Sequence, residues 1–522
     1  MNTIVVHRTC SVRPRSAHIE TAYDFLVIGA GFGGLSTALS LAERGAKVCL
    51  CETLRYPGGC ASTFERGGTR YESGATLFSG FAPHQFFDRL RSRHELEFEF
   101  CSLDPVVTLR TDEFVLPVSS SREDFLLALT SLDGVPEQAT LRFFEDQRRV
   151  ADALWALFDD EDLLPPLGPR SVLRHIGRVG TYLPLLPLVG QPVEKLLARH
   201  GLSECRPLRT YLDAVCQITI QASASSAEAP FALAAIDYFF RGTGHIEGGV
   251  GTLAWAMARA FERHGGTLML SNRVKSLELH AGGCRVETRR GTLHAERVIA
   301  NLTPHALRRL MQLEPGSNRR LDTLASQVED GWGAAMLYWK VSDQVLTQSS
   351  VDPLRSAHER GPFHLQLVGD SDGPLMEGNH VFCSVSGAEE RRGGPGERTV
   401  TVSTHVPMRS YRGAENPGEY IDRVHERMRQ TIRQRSPELA EACVGEMTAS
   451  PRTFERFTGR DFGYVGGIPR THGWSHYRSL GPTSPAASVF LIGDSVFPGQ
   501  STLATALGGA RLAASLLGSR GA

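Results

Sequence analysis

The chain has 522 residues, with 56 Lys plus Arg against 57 Asp plus Glu, so its net charge of −1 gives no reason to expect a nucleic-acid partner, and no compact Lys/Arg block supplies one. Ten cysteines, scattered from Cys10 to Cys443, have neither paired metal spacing nor the density of a disulfide scaffold; reduced thiols in a cytoplasmic compartment are expected, and no metal site. No window carries the apolar run of a membrane-spanning helix.

Residues 1–19 carry Arg8, Arg13 and Arg15 and no acid, a pattern similar to an organelle transit segment, yet their only apolar run, residues 4–6, is too short for a signal core. A disordered tail over residues 1–20 is the expectation. Residues 23–52, YDFLVIGAGFGGLSTALSLAERGAKVCLCE, read as a strand, a glycine turn, a helix and a second strand ending in an acid. Gly29 permits the tight turn, Gly31 lets backbone approach a pyrophosphate, and Gly34 lets the helix pack closely, with Ala30, Phe32 and Gly33 completing the loop. Phosphate charge then sits on the helix N-terminus, and Glu52 is placed to accept from a ribose 2′-OH, which argues against a 2′-phosphate. This is a dinucleotide site, and the motif alone does not separate NAD from FAD. Gly58 and Gly59 then offer a backbone-only approach point followed by the small residues Cys60, Ala61 and Ser62.

Between residues 80 and 242 the signals are helical, clearest over 139–158 and 203–218. Within that stretch, residues 163–197 set Arg170, Arg174 and Arg178 beside an apolar run over 179–189 that Pro184 and Pro187 interrupt. Two readings stand: peripheral contact with one face of a membrane, or a loop-rich wall of an apolar pocket. Gly248, Gly249 and Gly251 lack a preceding strand and the full fingerprint spacing, so no separate NAD(P)H site is indicated. Between 331 and 407, AAMLYWKV, FHLQLV, NHVFCSV and RTVTVSTHV read as strands of a second sheet, residues 391–398 as a surface turn, and residues 420–435 as a charged helix. Finally, residues 488–517 form a buried strand ending in Gly493 and Asp494, a proline-glycine turn, and a small-residue helix from near Thr502. That is the geometry an extended flavin needs: Asp494 accepts a ribityl hydroxyl, and the helix start aims its positive end at the flavin ring. Gly508 and Gly509 cost helix stability, so close packing against backbone or cofactor is expected there.

Together these segments resemble the carotenoid desaturase and isomerase branch of the flavin amine oxidase superfamily, most specifically in PGGCASTFERGGTRYESGATLFSG and IGDSVFPGQSTLATALGGARLA. HIEGGVGTLAWAMARAFERHGGTLMLSNRVKSLEL and ASPRTFERFTGRDFGYVGG are similar to further runs of that branch. The resemblance implies an α/β fold, a Rossmann-like FAD-binding domain of the amine oxidase type with an inserted α+β substrate domain. FAD-domain pieces are expected at 21–80, 242–310 and 484–522, and the substrate domain at 81–241 and 311–483. It adds Gly74, Ala75, Thr76, Val274, Leu503 and Ala504 to the cofactor contacts, with Thr76 and Phe78 near the ring. Cys60 stands where many flavin amine oxidases have Arg, which puts a charge contact to the cofactor in doubt and leaves a small packed residue as the expectation.

The implied activity is oxidation of a carotenoid or similar long apolar isoprenoid: hydride leaves one carbon for the flavin and a proton leaves its neighbour. Isomerisation through reduced flavin is the other form, and reoxidation by oxygen, a quinone or a redox partner completes it. Retinoid saturases share parts of the signature and run in the reducing direction. A flavin amine oxidase acting on a polar amine, and a non-enzymatic binding protein on the same fold as in GDP dissociation inhibitors, are the readings from other classes. Catalytic side chains stay unassigned; Arg241 and His245 are the candidates considered.

Overall fold

A computed structural model of the protein describes residues 22–348, 361–481 and 483–518; the expected tail lies outside the described residues. Ala22–Ile28 is apolar on both faces over its second half, as a strand inside a parallel sheet must be. It pairs in parallel with Val48–Cys51 on one side, Phe25 opposite Val48, and with Gly291–Asn301 on the other, Val27 opposite Ile299. Thr267–Met269 and Val489–Ile492 extend the parallel part on either side, and an antiparallel meander of Val274–His280 and Gly283–Thr288 joins the long strand Gly291–Asn301. Strands from the beginning, the middle and the end of the chain thus share one eight-stranded sheet.

Phe32–Ala42 and Thr502–Gly518 lie together on one face of this sheet, packing Leu35, Leu39 and Leu507 against Phe25, Val27 and Ile299. Their approach is set by glycine. A Cβ on Gly509 would sit 2.3 Å from the Gly33 carbonyl oxygen, so the backbone is what meets the missing side chain. On the opposite face Leu26, Ile28 and Cys49 pack against Leu307 and Leu321.

The second sheet has seven strands in the order Cys443–Ala449, Trp332–Ser342, Glu397–Pro407, His380–Val385, Phe363–Val368, Val107–Arg110 and Val115–Val118. Period-two alternation divides its residues between two environments. Leu337, Val341, Val400, Val402 and Val381 pack against Ile421, Val424, Met428 and Ile432 of the charged helix Pro417–Arg435. Ala334, Met336, Phe382, Ser403 and His405 face the other way, toward the first sheet. A helical layer within residues 122–240 completes that wall, with Glu137–Asp159, Arg206–Ile220 and Ala229–Ile236 as its principal helices. The second of these starts three residues later than expected, because Pro207 suits only the first turn of a helix.

Two expectations are corrected. Residues 391–398 are not a plain surface turn: Arg392 and Arg398 are buried, the first ion-paired with Glu72 and Glu390, the second donating to the carbonyls of Ser386 and Gly361. Residues 163–197 do not line the main cavity. They form the short helix Pro169–Gly177 and following turns that expose Leu167, Leu173, Ile176, Leu183 and Leu186 while burying Leu185, Leu188 and Val193. Among the described residues no helix is long and apolar enough to cross a membrane.

Candidate functional site

The parallel strands of the first sheet all end at one edge, and a cavity of about 600 Å³ opens there and runs beneath the second sheet and the helical layer. Its sheet end is made of backbone. Gly29 has φ +95°, and a Cβ there would meet the Asn301 carbonyl oxygen at 2.8 Å. Gly31 is the N-cap of Phe32–Ala42 without a side-chain cap, so the free N–H groups of the first turn are left for a ligand. Gly34 lies behind, where a Cβ would clash with the Gly29 carbonyl oxygen at 2.0 Å.

The second glycine turn stacks on the first. Gly58 donates to the Ala30 carbonyl (2.8 Å), and a Cβ on Gly59 would touch the Gly31 Cα at 3.4 Å. Cys60 and Ala61 line the cavity; Ser62 does not, and instead clasps the turn by donating to the Gly59 carbonyl and sharing a 2.5 Å hydrogen bond with Ser73. Burial pushes the Cys60 thiol up, which keeps it protonated. Glu52 closes the far end: its carboxylate accepts from the Ala30 and Leu54 amides at 2.7 and 2.8 Å. Burial raises its pKa, and those backbone N–H groups offset part of the rise.

Gly74, Ala75, Thr76, Val274, Gly493, Asp494, Thr502 and Ala504 all border the same cavity, as do Gly31, Phe32 and Gly33. Ala30, Gly34 and Leu503 stand behind it; Leu503 packs on Gly80. Phe78 also lies away from the cavity, edge-on to Phe32 at 5.2 Å, because strand-like alternation turns Leu77 and Ser79 inward instead. Arg241 is tied to Asp237 and Asp152, and His245 is buried against Glu390 and Arg392. Neither borders the cavity, so both are fixed in ion-pair networks of the scaffold.

Three residues here had no place in the sequence reading. Asn301, at the end of the long strand, reaches under both glycine turns: its side chain is what a Cβ on Gly31, Gly33 or Gly493 would strike, at 2.8 to 3.0 Å. Arg460 pairs with Asp494 at 2.6 Å and places a guanidinium near Cys60, so a cation occupies this region although Cys60 itself carries none. Gln221 donates to Gln500 (2.8 Å) and accepts from the Trp332 amide, bridging the helical layer to the proline-glycine turn. Asn301 closes a run of small apolar residues, which marks a strand end and nothing more; Arg460 and Gln221 act through partners far away in sequence.

The donor set fits a flavin dinucleotide: amide-lined glycine turns for the pyrophosphate, one carboxylate at each end, and a cavity that continues past them. Beyond Thr76 the walls turn apolar, with Leu154, Leu157, Phe158, Ile218 and Phe231 on the helical side and Met336 and Phe382 on the sheet side. Among the described residues no group of His, Cys, Asp and Glu is arranged to hold a metal ion.

Comparison with known proteins agrees with this geometry. Residues 32–334 match the family of flavin containing amine oxidoreductases. The chain is similar to the chloroplastic prolycopene isomerase of Arabidopsis thaliana, 24% identical over 94% of this chain and 82% of that protein. It is also similar to the neurosporene-forming phytoene desaturase of Cereibacter sphaeroides, 23% identical over 91% of this chain and 90% of that one. The fold is that of cyclohexylamine oxidase from Brevibacterium oxydans, with a TM-score of 0.60 at 14% identity, covering 96% of this chain and all of the other. The chain belongs to the flavin containing amine oxidoreductase family and is an FAD-dependent oxidoreductase.

Proposed function

We propose that this oxidoreductase changes carbon–carbon bonds of a carotenoid or similar long apolar polyene, by desaturation or by cis–trans isomerisation. The observation that carries the reading is the continuity of one cavity from the glycine turns to a wall of Leu, Phe and Ile side chains. A long apolar chain is favoured in such a tunnel by burial alone, at roughly 25 cal/mol per Å². A polar amine would find little in that wall to replace its hydration.

In this reading FAD is held by Gly29 to Gly34, Glu52, Gly58 to Ala61, Gly74 to Thr76, Val274, Gly493, Asp494 and Thr502 to Ala504, with Ser62 as support. Residues 21–80, 242–310 and 484–522 form its domain, and residues 81–241 and 311–483 the substrate domain. Bound there, the flavin supplies a two-electron acceptor or donor for a C–H bond. The chain does the rest: the glycine turns and Glu52 fix the adenine half, Asp494 and Arg460 orient the other half, and the helical layer excludes water while aligning the polyene. Oxygen, a quinone or a redox partner takes the electrons when the change is oxidative.

The exposed leucines and isoleucine of residues 167–186, with Arg170 exposed among them, support peripheral attachment to a membrane, where such a substrate dissolves. The test of function is expression in cells that already make acyclic and cyclic carotenoids, followed by pigment analysis. Longer-wavelength products mean desaturation, and altered cis–trans pattern at constant mass means isomerisation. Unchanged pigments beside abundant flavin-loaded protein would overturn the reading.

A further inference from the structure

His405 stands at a boundary between two cavities. Its imidazole borders the main cavity, from the strand Glu397–Pro407, directly opposite Ala334 on Trp332–Ser342. On its other side the ring lies 4.8 Å from the Trp332 indole. Trp332 in turn lines a second cavity of about 530 Å³, which is walled by Asp213, Gln217, Gln221, Asp330, Thr471 and His476 among others. Gln221 borders both cavities, so the partition between them is one side chain thick there.

The wall of the second cavity carries polar side chains among apolar ones, and two of them hold unmet hydrogen-bonding atoms. Gln217 Oε1 and His476 Nε2 have no partner, although the two residues are only 3% and 4% exposed. Buried polar atoms of this kind are satisfied by ordered water, and the space is large enough for several molecules. Water in this space would lie against Trp332, whose indole meets the His405 ring at 4.8 Å.

Most other titratable side chains of the main cavity are already engaged, and Arg470, which lies over the Phe231 ring at 5.2 Å and is pulled down by burial to about 10, stays a cation at neutral pH and offers no base. Glu52 caps two amides, Asp494 is paired with Arg460, Tyr238 donates to the Leu77 carbonyl, and Tyr477 donates to Glu228. Cys60 is held as the thiol. No side-chain hydrogen bond engages the His405 ring among the described residues, and its backbone is pinned by the Glu377 amide at 2.8 Å.

We propose that His405 is the proton-transfer residue of the main cavity and exchanges that proton with water in the second cavity behind Trp332. The inference rests on the proposed carbon–carbon chemistry and adds the residue it lacked. In the desaturating direction, with FAD bound, the C–H bonding pair at one carbon would leave with its hydrogen as hydride to the flavin. The C–H bond of the adjacent carbon breaks, its electrons become the new C=C π bond, and its proton passes to the unprotonated ring nitrogen of His405. Burial pulls the imidazole down to about 4, so the ring is neutral with one free lone pair at neutral pH. A weak base suffices, because a C–H beside a carbon that has lost hydride is strongly acidic, and a weak base returns the proton to water readily.

The experiment has two arms on the flavin-loaded protein. In the first, His405→Phe and His405→Gln are compared with wild type on phytoene and poly-cis lycopene carried in liposomes. The expected result is a fall in kcat of about 100-fold in both variants, with flavin content, melting temperature and retained polyene as in wild type. Turnover within threefold of wild type in either folded variant overturns the proposal and leaves the proposed function standing. Wild type that retains flavin but converts no polyene overturns the proposed function, and this proposal with it. The second arm needs no turnover: a high-resolution crystal structure of wild type is expected to show water bonded to Gln217 Oε1 and His476 Nε2. A dry second cavity overturns the proposal even where polyenes are converted.

Discussion

Glu52 is the residue on which the proposed adenine site depends most, because one buried carboxylate both accepts from two amides and borders the cavity. Glu52→Gln keeps the shape and loses the charge, so it weakens a charge-assisted hydrogen bond to the ribose; FAD affinity is expected to fall about tenfold, at roughly 1.4 kcal/mol, as read by flavin release in equilibrium dialysis. Unchanged affinity would place the adenine end elsewhere. Gly34→Ala is a different kind of change: its Cβ would lie 2.0 Å from the Gly29 carbonyl, and the helix must move off the sheet. A loss of at least about 2 kcal/mol in urea unfolding is expected. Both residues were legible in the sequence, since a glycine fingerprint states its own geometry. Asn301 was not: its role is to fill the space three glycines leave, and only the folded strand ends bring them together.

Between elements, the buried hub of Arg392, Glu72, Glu390 and His245 joins the hairpin Thr63–Glu72, the start of helix Gly251–Arg263 and the second sheet. Burial opposes ionisation of Glu390, but the His245 hydrogen bond and Arg392 hold its carboxyl well below the ordinary value. A depressed carboxylate stabilises the fold above its ordinary pKa, and that stabilisation is lost as pH falls from about 4.5 toward the folded value. Arg392→Met is therefore expected to cost about 3–5 kcal/mol at neutral pH, and to flatten the acid limb of a pH–stability curve; a melting temperature within a degree of wild type would contradict this. The sequence made residues 391–398 look like a turn because Gly and Pro announce turns locally, while one of the two carboxylates that draw Arg392 inward, Glu72, lies more than 300 positions away. Elements with strong periodicity were legible almost to their ends: Phe363–Val368 and the helix from Thr502 coincide with their sequence patterns.

Across the whole molecule, the apolar-walled cavity and the exposed apolar turn at residues 167–186 both suit the proposed function, the first as the proposed polyene site and the second as the proposed membrane contact. Leu173→Glu with Ile176→Glu places two charges at positions 70% and 63% exposed, so folding is expected to be untouched while sedimentation with liposomes is lost. Equal sedimentation of the double variant would remove the membrane contact from the account. Sequence spacing alone could not decide whether residues 163–197 wall the pocket or face outward, because a proline-broken apolar run suits both, and the fold decides by giving the pocket wall to other helices.

The central claim is that cofactor and substrate lie in one cavity joined across both ends of the chain. A crystal structure of the FAD-loaded protein tests it most directly. The account predicts the adenosine at Glu52 and Val274, the pyrophosphate at Gly31 and Phe32, and the flavin ring at the Thr502 end, facing the Leu and Phe wall. Density for FAD outside that path, or a flavin ring walled off from the apolar cavity, would contradict it.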